Sequence, residues 1–339
     1  MTGTSSSVSA TILSKIFRPL FPTAASTSTN PSVPPPGNSG GAAFSPITSA
    51  GKKADIVHFI LDGALVPKTV ASVFTFFDIA RTHPAYRRSV ASSPLRAAVR
   101  TWMRHRAVRR ADVVVTTSET AKRDIAAGLQ IDPSRIAVAP IAPARIFTPG
   151  TSDPTVLDRC GVGRRPYLLF VGQFGRQKNE DALLEALRGV PETCLVLVGD
   201  PGDLADATKK RCADEALAGR VFFAGRVTDD DLCSLYRGAT ALCLPSHYEG
   251  YGLPAVEAMA CGTPVVVSDG GALPEIVGAA GIVAPLSNRH ALRDALLAVT
   301  RDAAIRERLR AAGLERAREF GHDAMAERHR EIYRHALAR

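Results

Sequence analysis

Two glutamates eight residues apart, Glu249 and Glu257, stand in the stretch SHYEGYGLPAVEAMACGTPVVVSDGG (246–271). Each carboxylate can accept a pair of hydrogen bonds from a vicinal diol. Between them, Gly250-Tyr251-Gly252-Leu253 leads into Pro254. Proline suits the first turn of a helix, where its missing N–H leaves nothing unsatisfied. The turn therefore belongs at a helix N-terminus, whose free N–H groups and dipole favour a phosphate or sugar hydroxyls. Its glycines let the backbone come close to a ligand. A nucleotide-sugar carries both a diphosphate and diols. Its negative charge needs cations, and GQFGRQKN (172–179) supplies Arg176 and Lys178 directly after a strand-like run. The first offers a fork of donors, the second a point charge.

Other chemistry is written less firmly. Gly250-x-Gly252-x-x-Ala255, with Asp269 19 residues beyond Gly250, formally matches a dinucleotide fingerprint and keeps an NAD enzyme open. That fingerprint should begin directly where the first strand of a domain ends. Here SHYE intervenes, after three strands of the same lobe. Asp229-Asp230-Asp231 imitates an Asp-x-Asp metal motif, but it follows Thr228 at a helix start, where acids complement the dipole. His322 and His329, with Glu327 and Glu331, make no compact ligand set and read as surface. His58, on a buried strand, reads as a core histidine. No metal and no cofactor are expected.

The elements that must position these residues follow from hydrophobic patterning. From Ala54 onward, short β-branched and aromatic runs alternate with amphipathic stretches. Strands are expected over 54–61, 72–79, 112–118, 135–141, 167–172, 194–199, 220–225, 240–245 and 263–269. Helices are expected over 93–111, 119–128 (closed by Gly128), 179–190, 203–218, 229–239 and 254–261, and they dominate from Arg289 to the end. Continuous apolar strands separated by helices make a parallel sheet covered on both faces. The Pro- and Gly-rich segment PARIFTPGTSDP (143–154) reads as a linker. The fold class is α/β, with two Rossmann-like lobes facing a cleft and ligands at the carboxyl ends of the strands. Residues 54–149 form the first lobe. Residues 150–319 form the nucleotide-sugar lobe, and 320–339 a closing helix. Thirty of the first 51 residues are Ser, Thr, Pro or Gly, and the first acid is Asp55. Residues 1–53 therefore read as a disordered leader.

Composition narrows the function. The chain has 339 residues, enough for two domains, and its 45% hydrophobic and 22% charged content is that of a globular protein. No run approaches the roughly 18 apolar residues of a membrane span. Six cysteines without a Cys-x-x-Cys spacing suit a reduced, cytoplasmic setting. The net charge is +9, and Arg81 to Arg123 holds eleven Lys/Arg against Asp112 and Glu119. Such a block suits an anionic partner or a solvated helix face, with peripheral contact to an anionic membrane as one form. No nucleic-acid motif accompanies it, and only 6% of residues are aromatic, so no nucleic-acid partner is expected.

Taken together, EGYGLPAVEAMACGTPVV following VFFAGRVTDDDLCSLYRGATALCLPS, with YLLFVGQFGRQKNEDALLEAL and RRADVVVTTSETAKRDIA, strongly resembles the retaining family-4 glycosyltransferases of GT-B fold. The likeness runs over about residues 55–319 and is strongest in 166–285, and it implies that residues 54–149 are an incomplete acceptor lobe. It implies that Glu249 and the backbone of Gly250, Tyr251, Gly252 and Leu253 hold the donor sugar and phosphates. It implies that Glu257 holds the nucleotide ribose and Lys178 the diphosphate, with Gly172 and Arg176 beside them. The segment from Gly225 to Val227 would pack on the nucleobase. Glu249 and Lys178 would be the catalytic pair of a metal-independent transfer that keeps the anomeric configuration, with Lys178 and helix dipoles stabilising the departing phosphate. The implied donor is a GDP- or UDP-linked hexose. The implied acceptor is a glycan or a lipid-linked glycan of polysaccharide or cell-envelope synthesis, met at the cytoplasmic face of the membrane. The chain departs from the pattern in three places. Gln173 stands where many members have arginine, Phe77-Asp78 replaces a His-Asp pair, and residues 1–51 do not look like an opening strand and glycine-rich loop. The alternative is a degenerate GT-B protein that binds a nucleotide-sugar or a partner without transfer.

Overall fold

The computed structural model describes residues 55–60, 70–77, 79, 102–103, 105–200, 212 and 214–339. The leader, Asp78 and most of the helices expected over 93–111 and 203–218 lie outside the described residues.

Valine-rich runs build two parallel sheets. In the first lobe, β1 (Ile56–Ile60), β2 (Ala71–Thr75), β3 (Val113–Thr116) and β4 (Ile136–Val138) pair in that order. Helix α1 (Glu119–Leu129) covers this sheet through Ala121, Ile125 and Leu129, spaced at one face of a 3.6-residue period. Gly128 does not close this helix. Gln130 does, in the left-handed region at φ 53°, while Gly128 stays helical, its Cβ position 3.3 Å from Ile79 Cδ1.

The second lobe holds β5 (Tyr167–Val171), β6 (Cys194–Val198), β7 (Val221–Gly225), β8 (Ala241–Leu244), β9 (Val265–Ser268) and β10 (Gly281–Ala284). Their order is β10-β9-β8-β5-β6-β7. Between and around them run α2 (Pro154–Arg159), α3 (Glu180–Arg188), α4 (Asp229–Gly238), α5 (Leu253–Cys261), α6 (Leu273–Val277), α7 (Ala291–Arg301) and α8 (Ala303–Arg318). Alternate residues of β5 feed different cores. Tyr167 and Leu169 pack with the buried residues of α4 and α5, and Leu168 and Phe170 with those of α3 and α7. β10 is absent from the sequence expectation. Its four residues GIVA include a glycine and an alanine, and pairing with β9 makes them a strand.

This strand order places the site. From β5 the sheet grows one way through β6 and β7, and the other way through β8, β9 and β10. The loops leaving β5 and β8 therefore part at the carboxyl edge, where open α/β sheets leave a crevice.

Two connections make contacts that the sequence does not show. The 143–154 segment is fastened to α4: Phe147 is buried against Tyr236, Thr148 accepts from Arg237, and Asp153 N–H donates to Ser234 Oγ at 2.7 Å. Helix α9 (His322–Leu337) returns to the first lobe, burying Ile332 and Ala336 against Val73, Val113 and Val115. His329 is consequently buried rather than at the surface, its Nδ1 against Met325 O at 2.9 Å. No helix among the described residues is long and apolar enough to cross a membrane.

Candidate functional site

The loops after β5 and β8 are stitched together by their own polar groups. His247 N–H donates to Gln177 O at 2.8 Å, Gln177 Nε2 to Tyr248 O at 2.9 Å, and Asn179 Nδ2 to Pro245 O at 3.0 Å. This stitching brings Lys178 to Glu249. Lys178 Nζ donates to Glu249 Oε1, and Ser246 Oγ donates to the same oxygen at 2.7 Å. The two side chains are 20% and 12% exposed, so the pair is partly desolvated yet reachable from solvent.

Helix α5 starts at Leu253, one residue before the expected Pro254. Gly252 takes φ 98°, and a Cβ there would also press Leu273 Cδ2 at 2.7 Å. No side chain caps the helix. Among the described residues, no group accepts from the N–H groups of residues 250–253, which form a short row of open donors. Glu257 lies farther along α5, buried, and its Oε2 accepts from Tyr236 Oη at 3.0 Å. Burial, reinforced by Glu257, pushes the Tyr236 hydroxyl pKa well up, so it stays a donor.

Behind the loop sits Gly271, at φ 67°, where a Cβ would collide with the Glu249 backbone. Only glycine fits there. The next residue, Ala272, donates its N–H to Glu249 O at 2.8 Å. Glu249 is thus held at its carboxylate by Lys178 and Ser246 and at its carbonyl by Ala272.

The other sequence-predicted residues fall around this centre. Gly172 directly follows β5 beside Lys178, its Cβ position 3.4 Å from Lys178 Cε. Gly225 ends β7, facing open space. Arg176 is exposed in the loop, and among the described residues no hydrogen bond or ion pair joins it to Glu249. Tyr251 is buried, with Oη donating to Ile141 O at 2.7 Å and its ring edge-on to Phe320, so its backbone alone is left for a ligand. Thr228 Oγ1 caps α4 by accepting from Asp231 N–H at 3.1 Å, and Asp231 pairs with Arg159, so the aspartate triplet serves a helix start. Asp269 accepts from Leu286 N–H at 2.9 Å, binding the end of β9 to the segment after β10. His58 is a core histidine: Nδ1 meets Tyr333 Oη at 2.8 Å and Nε2 meets Thr75 Oγ1 at 2.7 Å. Burial, aided by His329, holds its pKa down at about 3.

Tyr236, Ser246, Gln177 and Gly271 are the residues that sequence reasoning missed. Only the Gly270-Gly271 pair carried a signal, as a doubled glycine after a strand. Tyr236 lies 21 residues before Glu257 and meets it only because α4 packs on α5. The assembled centre can do specific chemistry: a cation and open N–H groups for an anion, with two carboxylates for hydroxyls on either side of it.

Two family models match the chain. Glycosyltransferase Family 4 covers residues 27–141, beginning within the span read as a leader, and Glycosyl transferases group 1 covers residues 161–316. An O-antigen chain mannosyltransferase B from Escherichia coli is 32% identical over 223 residues, 64% of this chain and 58% of that protein. A D-inositol 3-phosphate glycosyltransferase from Frankia alni is 36% identical over 228 residues, 61% of this chain and 54% of that protein. The chain thus spans little more than half the length of these relatives. Among solved structures, sucrose-phosphate synthase from Thermosynechococcus elongatus aligns with a TM-score of 0.66 at 26% identity, over 79% of this chain and 68% of that one.

Proposed function

The chain belongs to the glycosyltransferases described by these two models and has their GT-B fold, and from that premise we propose that it moves a hexose from a nucleoside-diphosphate sugar to a glycan or lipid-linked acceptor. One observation carries the reading: a lysine and a carboxylate joined at the carboxyl edge of the sheet, beside an uncapped helix N-terminus. In this reading the diphosphate lies against Lys178 and the open N–H groups of residues 250–253. Glu257, aimed by Tyr236, takes the ribose diol, and Glu249 takes hydroxyls of the donor sugar. The nucleobase lies over Gly225–Val227.

The bond from the anomeric carbon to the phosphate oxygen breaks, and a bond to the acceptor oxygen forms on the same face. That is what retention in one displacement requires. The acceptor proton passes to the departing phosphate. Lys178 and the α5 N-terminus stabilise the charge that develops there, without a metal. Exposed Trp102, with Arg106 over its ring, offers a surface for anionic lipid around a lipid-linked acceptor.

The test is turnover of UDP- and GDP-hexoses, read as released nucleoside diphosphate, with the product anomer assigned by NMR. Retained configuration is expected. Nucleotide binding without transfer or hydrolysis for every donor and acceptor offered would instead favour a binding protein.

A further inference from the structure

Residues on either side of Glu249 are held by the opposite lobe. Ser118, the N-cap of α1, accepts from Ala121 N–H at 3.0 Å and donates its own hydroxyl to Gly250 O at 2.7 Å. Thr117 Oγ1 adds a longer contact to the same carbonyl at 3.4 Å. Farther along α1, Asp124 Oδ2 accepts from Tyr248 Oη at 2.7 Å. Tyr248 and Gly250 flank Glu249, and both are gripped by a single first-lobe helix.

A second contact runs the other way. Glu275, on α6 of the second lobe, accepts from Glu119 N–H at 2.7 Å, Thr120 N–H at 2.9 Å and Thr120 Oγ1 at 2.9 Å. These backbone donors have no intrahelical partner at a helix start, and a carboxylate there also complements the dipole. Glu275 is itself well anchored. Arg316 donates to Glu275 O at 2.8 Å and to Ile276 O at 3.0 Å. At the start of the same segment, Ala272 N–H holds Glu249 O. The first turn of α1 therefore reaches Glu249 by two routes, directly through its neighbours and through Glu275 and α6.

We propose that the N-terminal half of α1 is a mould for the donor-sugar loop, with Ser118, Asp124 and Glu275 acting as positioning residues that set Glu249 when the lobes meet. This rests on the donor-site reading above. Holding the Gly250 carbonyl toward the first lobe fixes the Gly250–Tyr251 peptide plane, because the amide is planar, and with it the direction of the Tyr251 N–H. Lobe approach and the arming of the donor loop are then one event. Nucleoside diphosphate binding rests chiefly on Lys178, Glu257 and the N–H groups of Gly252 and Leu253, all within the second lobe, so losing the mould costs it only the aim of the Tyr251 N–H.

The consequence is a split between binding and turnover. Glu275→Gln replaces an acceptor with an amide that faces N–H donors badly. Ser118→Ala removes the cross-lobe hydroxyl but also an N-cap, so Ser118→Thr serves as its rescue. Each of Glu275→Gln, Asp124→Asn and Ser118→Ala should lower kcat about tenfold, the scale of losing one hydrogen bond that is buried, as at Ser118, or made to a charged carboxylate, as at Glu275 and Asp124. Affinity for the matching nucleoside diphosphate (UDP, GDP or ADP) should stay within about twofold, and Ser118→Thr should recover most of the turnover. A merely structural role would depress affinity and turnover together. Hydrogen exchange on the ligand-free full chain supplies a readout independent of activity. The backbone amides of Glu119 and Thr120 should exchange at least about tenfold faster in Glu275→Gln than in wild type. Unchanged exchange, or unchanged kcat in all three variants, overturns the mould. Wild-type protein that binds no nucleoside diphosphate overturns the donor-site reading instead, while the exchange result still decides the mould.

Discussion

The two lobes are built from the same unit, a parallel sheet with helices on its faces, yet they hold their polar residues differently. In the second lobe the candidate donor residues come from two adjacent loops that bind each other, and Lys178, Ser246 and Glu249 form one cluster within that lobe. In the first lobe the polar residues at the start of α1 reach outward. Ser118, Thr117 and Asp124 spend their hydrogen bonds on the other lobe, and His58 spends one on α9, which arrives from the far end of the chain. A site made within one lobe can bind by itself. A site completed across two lobes needs them together, and this is the difference to be broken by experiment.

The largest expected effect is at the self-contained cluster. Lys178→Ala should lower kcat by about 100- to 1000-fold, the scale of removing one electrostatic stabiliser of developing charge. A loss below about tenfold, measured by nucleoside diphosphate release, would move the catalytic weight away from this pair. The next effect belongs to the seam between α9 and the first lobe, where His58 faces Thr75, His329 and Tyr333. Burial depresses the pKa of both histidines, His58 to about 3. Below pH 6.5 the unfolded chain takes up protons that the folded chain refuses, so stability must fall as the pH drops from about 6.5 toward 3. His58 should contribute about 1.4 kcal/mol per pH unit, and His329 adds to the fall in the same direction. Urea unfolding between pH 6.5 and 5 measures this slope, and His58→Gln should flatten it. A slope identical in wild type and variant would remove His58 from the account. A smaller effect is expected at Tyr236→Phe, which should weaken nucleoside diphosphate binding about fivefold, the worth of one hydrogen bond aiming Glu257. The smallest concerns the basic block. Replacing Arg100, Arg104 and Arg106 with alanine should reduce binding to anionic liposomes by severalfold at low salt and by little at physiological salt. Equal sedimentation at low salt would exclude a membrane role for these arginines.

What could be read from the sequence follows the same division. Glu249, the glycine turn and Pro254 are contiguous, so their geometry is local: a proline in the first turn and a glycine at φ 98° are dictated within a few residues. Lys178 was legible because a cation directly after a strand stands at the carboxyl edge of the sheet. The strands of both lobes were legible as β-branched runs, while β10, short and glycine-led, depends on its neighbour. What was hidden is long-range. Tyr236 under Glu257, Glu275 on α1 and Tyr333 on His58 depend on how elements pack, and the last joins residues 275 positions apart. His329 was misread for the same reason, since its burial exists only once α9 lies on the first sheet. The acidic triplet was read correctly because Thr228 sits directly before it and helix capping is local.

The central claim is that the second lobe holds a nucleotide-sugar through Lys178, Glu249 and Glu257. Calorimetric titration of wild type and Glu257→Ala with UDP, GDP and ADP tests it most directly. The account predicts that wild type binds at least one of the three, and that Glu257→Ala binds it at least about tenfold more weakly, since the ribose diol loses its acceptor. Equal affinity in wild type and variant would contradict the assignment of Glu257 and, with it, the geometry proposed for the donor.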